Sequence, residues 1–128
     1  MVGLSMAIRV LVVDDLVFMR EVIRDILEDA GIEVAGEAAD GKSGIKAYAA
    51  MKPDVVLMDI TMPVMDGLRA LRKIRDLDRH AVVVMCSSLG QQEYIIRAVQ
   101  LGARDFIVKP FRPERVVSAV QKAARSHV

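Results

Sequence analysis

The sequence predicts an α/β domain built on a parallel sheet, with helices packed on both of its faces. Five short apolar segments alternate with five amphipathic ones, and the apolar segments are rich in β-branched residues and lack helical period. Residues 8–13, Val55–Met58 and residues 81–86 are nearly continuous hydrophobics, as strands covered on both faces should be, and so belong at the centre of the sheet. Glu33–Ala38 is the weakest strand segment, and residues 106–108 complete the set of five.

The intervening segments repeat one pattern. Met19, Val22, Ile23, Ile26, Leu27 and Ala30 recur at helical spacing, and Gly31 can close that helix in the left-handed conformation. A weaker second helix falls around residues 43–51, and Leu68, Leu71 and Ile74 mark a third. Tyr94, Ile95, Ala98 and Val99 mark a fourth, closed by Gly102. The last opens with Pro113 in its first turn and carries Val116, Val117, Val120 and Ala124 inward.

A length of 128 residues, 53% hydrophobic and 27% charged, suits one domain spanning residues 1–128, with residues 1–6 as an extension ahead of it. The net charge of +1 comes from interspersed signs, so no basic block is present to bind nucleic acid or an anionic membrane. The apolar run near the N-terminus is broken by Arg9 and stops at Asp14, too short for membrane insertion. The single cysteine, Cys86, cannot form an internal disulfide, which suits a reducing cytoplasm, and it reads as a buried strand residue. The eight methionines read as core filling, and His80 and His127 as exposed and incidental.

In open α/β sheets ligands bind outside the carboxyl ends of the strands, and there the chemistry gathers. Asp14 and Asp15 follow the first strand, Asp59 the third, Ser87 and Ser88 the fourth, and Lys109 the fifth. Three converging carboxylates repel unless protons or a cation compensate, and hard oxygen ligands select Mg²⁺, Ca²⁺ or Mn²⁺. Few protein ligands with room for water suit Mg²⁺ and a phosphate substrate. Asp59 stands alone at the end of an apolar strand and is the candidate nucleophile, leaving Asp14 and Asp15 to hold metal. Lys109 can pair with that carboxylate before reaction and with phosphoryl oxygens after it, and the Ser87 hydroxyl can donate to the same group. Ser88 is a further candidate contact. Asp66 and Gly67 read as a turn.

Val12-Val13-Asp14-Asp15, the run from Met58 to Pro63 with Asp66-Gly67, Ser87, and Lys109-Pro110-Phe111 together resemble the signature of bacterial response-regulator receiver domains. Phe18-Met19-Arg20, the segment 86–92 and the segment 106–111 are similar to the stand-alone chemotaxis regulators of that family. The resemblance implies a flavodoxin-like fold with strand order 2-1-3-4-5. It also implies that Asp59 accepts a phosphoryl group from a histidine kinase, that Asp15 binds Mg²⁺ directly and Asp14 through water, and that Thr61 contributes its backbone carbonyl. Ser87 and Phe106 would form the switch, Lys109-Pro110 a cis peptide, and a flagellar-motor switch protein the partner of a monomeric regulator. Leu89 stands where many members help to position hydrolytic water, which implies slow self-dephosphorylation.

Other functions make different demands. A flavin or nucleotide carrier needs a glycine- or hydroxyl-rich phosphate loop after the first strand, where this chain has two acids. A haloacid-dehalogenase-like phosphatase carries an Asp-x-Asp pattern on that strand, and Asp14-Asp15-Leu16 lacks it. A phosphorelay intermediate, or a receiver cut from a methylesterase or transcription factor, shares all of the motifs above.

Overall fold

The computed structural model describes residues 7–125; the extension at residues 1–6 and His127 lie outside them. The chain runs β1 (Arg9–Val13), α1 (Val17–Asp29), β2 (Glu33–Ala38), α2 (Gly41–Met51), β3 (Val55–Met58), α3 (Gly67–Leu77), β4 (Val83–Ser87), α4 (Gln92–Gln100), β5 (Asp105–Val108), α5 (Pro113–Arg125). All strand pairs are parallel and the order is β2-β1-β3-β4-β5, as the resemblance implies.

Strand periodicity divides the core into two layers. Val10, Val12, Val55, Leu57, Val84 and Ile107 face α1 and α5, where Ile23, Leu27, Val116 and Val120 meet them. Leu11, Val13, Val56, Met58, Val83 and Met85 face the other way, onto Tyr48 of α2, Leu71 and Ile74 of α3, and Ala98 of α4. Both faces of β1, β3 and β4 are therefore apolar, which explains the unbroken hydrophobic runs.

Two readings shift. β4 begins at Val83 and includes Ser87, because its pairing with β5 runs from Val84 to Ser87. Val99, placed inward by its spacing, is 60% exposed: Ala98 alone is buried on α4, so this helix meets the sheet along a narrow stripe. Gly31 and Gly102 have φ of +75° and +100°, closing α1 and α4 as the sequence implies.

Val64, in the connection from β3 to α3, has φ of +67° although it is β-branched and 77% exposed. A left-handed backbone costs a residue with a Cβ about 1–2 kcal/mol, and asparagine tolerates it better. Val64→Asn should therefore stabilise the fold by about 1 kcal/mol in urea unfolding; an unchanged or lower midpoint would contradict the strain.

Candidate functional site

Register places the site. Val13 of β1 pairs with Met58 of β3, so Asp14 and Asp59, each one residue further, leave the two central strands side by side. The Asp59 N–H donates to the Val13 carbonyl at 2.9 Å, and the Asp14 N–H to the Ala38 carbonyl at 3.0 Å. Both carboxylates are held where the sheet ends and the helices have not yet covered it. Asp15, the most exposed of the three acids, follows directly, and one oxygen from each of Asp14, Asp15 and Asp59 lies within 4.8 Å of the others. The positive end of α1 opens two residues later, which favours negative charge there.

Lys109 leaves β5 and reaches across this edge. Its Nζ lies 2.7 Å from Asp14 Oδ2 and 3.5 Å from Asp59 Oδ2, with its side chain 12% exposed. Asp59 Oδ1 accepts from the Ile60 N–H at 2.7 Å, so its Oδ2 is the oxygen turned to the lysine. Burial pushes the Asp59 carboxyl above the usual carboxylate range; Lys109 opposes that and the Asp14 charge adds to it. Burial also pulls the Lys109 ammonium down, but the hydrogen bond to Asp14 and the charges of Asp59 and Asp14 outweigh it, and the net direction is upward. One lysine faces three acids, leaving a surplus of negative charge on hard oxygens. Donor type and spacing fit a divalent cation such as Mg²⁺.

The other expected residues fall around this centre. Ser87 is fully buried at the end of β4, and its Oγ accepts from the Leu89 N–H at 3.1 Å, which leaves the hydroxyl proton available for donation. Ser88 and Thr61 are exposed on the adjoining loops. Phe106 is 8% exposed with its ring turned inward, among the residues packed beneath α3 and α4. Lys109-Pro110 is cis. Cys86 is buried, and burial pushes its thiol up to about 12, so it is chemically quiet beside the site.

Asp66 proves to be more than a turn residue: its carboxylate accepts from the Arg69 N–H at 2.9 Å and caps α3. Gly67 is dictated by space, since a Cβ there would lie 1.7 Å from the Asp59 carbonyl oxygen. Two residues that sequence reasoning left unassigned also belong to the site's frame. Arg20 of α1 donates to the Asp14 carbonyl at 2.6 Å and to Glu37 of β2 at 3.0 Å. The signal for them was Glu37, a charge set between Gly36 and Ala38 near the inner end of β2.

With fold and site in place, comparison with known proteins defines the class. The response regulator receiver domain family matches residues 10–121, and the chain belongs to it. The chain is 50% identical to the chemotaxis protein CheY of Thermotoga maritima over 117 residues, covering 91% of this chain and 98% of that protein. CheY of Bacillus subtilis is 51% identical over 117 residues with the same coverage. A chain in the crystal structure of the CheX-CheY-BeF3-Mg²⁺ complex from Borrelia burgdorferi superposes with a TM-score of 0.88 at 36% identity, covering 90% of this chain and 87% of that one. The protein is thus a CheY-like response regulator, a signalling switch by family.

A carboxyl whose pKa is higher in the folded than in the unfolded chain binds protons more readily when folded, so stability falls as pH rises between the two values. Asp59 is such a group. Asp59→Asn should stabilise the metal-free fold at pH 7 by about 1 kcal/mol, and the gain should shrink as pH falls to about 4. Urea unfolding of both proteins across that range measures it; an Asn variant less stable at pH 7 would contradict the assignment.

Proposed function

We propose that this chain is the phosphoacceptor of a chemotaxis two-component system, in which Asp59 takes a phosphoryl group from the phosphohistidine of a histidine kinase. One observation carries the reading: a buried lone carboxylate at the end of a central strand faces an acid pair, with a buried lysine 2.7 Å from one and 3.5 Å from the other. A carboxylate oxygen of Asp59 attacks phosphorus in line. The P–N bond breaks, its electron pair returns to the imidazole, and Asp59 becomes an acyl phosphate.

Asp14, Asp15, Asp59 and the Thr61 carbonyl would hold Mg²⁺, which when bound neutralises charge on the transferring phosphoryl oxygens. The Borrelia complex, solved with BeF3 and Mg²⁺, supports that choice of ion. Lys109 pairs with a phosphoryl oxygen in place of Asp59 Oδ2, and Ser87 donates its hydroxyl, with Ser88 as an accessory contact. Such transfer depends on positioning and charge neutralisation, so a general-base histidine is not needed.

The signal leaves through Ser87, Lys109 and Phe106. Drawing the Ser87 hydroxyl toward the phosphoryl group weakens its bond with the Leu89 N–H and vacates space that the Phe106 ring fills, remodelling the surface around α4 and β5. The ring lies inward in this conformation, so the switch is a population shift between this packing and an outward one. The face built by α4, β5 and α5, with Tyr94, Phe106 and Arg112, would read the state out to a flagellar-motor switch protein. Among the described residues no helix is long and apolar enough to cross a membrane. The reading places a monomeric regulator in the cytoplasm, a single domain over residues 1–128 of which residues 1–6 are an N-terminal extension.

Incubation with acetyl phosphate or a phosphohistidine donor tests this. Wild type should become labelled only with Mg²⁺, and Asp59→Asn should not; undiminished aspartyl labelling of the variant would sink the assignment. With Leu89 beside the site, the phosphoryl group should outlast the scale of seconds on the isolated protein, and decay within seconds would remove that part of the reading.

A further inference from the structure

We propose that Arg20 is a positioning residue for the cation site, holding Asp14 and the peptide that leads to Asp15 in the geometry the cation requires. The inference rests on reading Asp14, Asp15 and Asp59 as a Mg²⁺ site.

Every polar atom of Asp14 has a partner. Its N–H donates to Ala38 at 3.0 Å, Oδ1 accepts from the Leu16 N–H at 2.9 Å, Oδ2 accepts from Lys109 at 2.7 Å, and the carbonyl accepts from Arg20 Nη1 at 2.6 Å. The first three partners come from β2, the turn itself and the end of β5. Leu16 is the N-cap of α1, and Arg20 alone of the four partners lies within the helix itself. Its Nε simultaneously donates to Glu37 Oε1 at 3.0 Å, and its side chain is 15% exposed.

A planar guanidinium fixed by two acceptors on different elements cannot pivot without breaking one bond. The Asp14 carbonyl is therefore clamped between α1 and β2, and the next peptide, which orients Asp15, starts from a fixed plane. Glu37 is itself held from the other side by Arg24, so the clamp has a rigid anchor. Arg24 reaches Glu37 without contacting Asp14, which separates the clamp from the charge of the neighbourhood.

The sign of the effect distinguishes positioning from electrostatics. A guanidinium beside a cation site repels the cation, so removing it should by Coulomb's law alone tighten Mg²⁺ binding. Loss of a clamp should weaken it. Calorimetric titration of the full chain with MgCl2, alongside urea unfolding of each variant, reads both. Arg20→Ala and Arg20→Lys should raise the Mg²⁺ Kd by about tenfold, Arg24→Ala should leave it unchanged or lower it, and Glu37→Ala, which removes the second acceptor and frees the guanidinium to pivot, should raise it severalfold. An Arg20 variant that binds Mg²⁺ as tightly as wild type, or more tightly, overturns the proposal. So does an equal loss in Arg24→Ala. Should Arg20→Ala fail to fold, Arg20→Lys and Glu37→Ala carry the test, and wild-type affinity in both overturns it. A wild type that binds no Mg²⁺ fails at the earlier step, and the metal reading falls with the proposal.

Discussion

Three carboxylates gathered at one edge of the sheet, with a single ammonium among them, are the constraint on which the rest of the structure turns. Left to Coulomb's law they would separate or take up protons. They stay together because the backbone holds them: Asp14 and Asp59 are extensions of adjacent, fully buried strands, and neither can move without dragging a strand of the core. The core's apolar burial thus maintains an electrostatic imbalance at its rim, of the kind that a hard cation would relieve. Lys109, which ion-pairs with one acid and faces the other, is the partial remedy built into the chain.

The topology makes this economical. Crossovers on both faces put β1 and β3 next to each other at the centre, with β4 and β5 following, so four successive strand ends deliver acid pair, lone acid, hydroxyl and lysine to one line. The connection from β3 to α3 must then clear the Asp59 carbonyl closely, which Gly67 permits and a larger residue would not. The strained Val64 and the capping Asp66 lie in the same connection, where a sharp turn has to be completed within a few residues.

Much of this was legible in the sequence because it depends on local pattern. The unbroken apolar runs of β1, β3 and β4 announced strands buried on both sides, and the polar residues that end them marked the edge where the acids gather. What stayed hidden depends on contacts that leave no periodic trace. The sequence places Lys109 at the acid edge opposite Asp59, but only the fold shows that Asp14, 95 residues away, is its closer partner. Arg20 entered only within the Phe18-Met19-Arg20 run of the family resemblance, without a role, since its bond to a backbone carbonyl leaves no periodic trace. Asp66 before Gly67 fits a turn and a helix cap equally well. Val99 had the right spacing for the core, but α4 buries only the stripe at Ala98 and leaves Val99 to solvent.

The central claim is that the acid cluster is an unrelieved charge until a divalent cation joins it, with Asp59 as a necessary part. Thermal unfolding at pH 7 with and without MgCl2, for wild type and Asp59→Asn, tests this most directly. Because a ligand that binds the folded state stabilises it by mass action, Mg²⁺ should raise the Tm of wild type in a concentration-dependent way and raise that of Asp59→Asn far less. Equal shifts in both proteins, or none in wild type, would contradict the account.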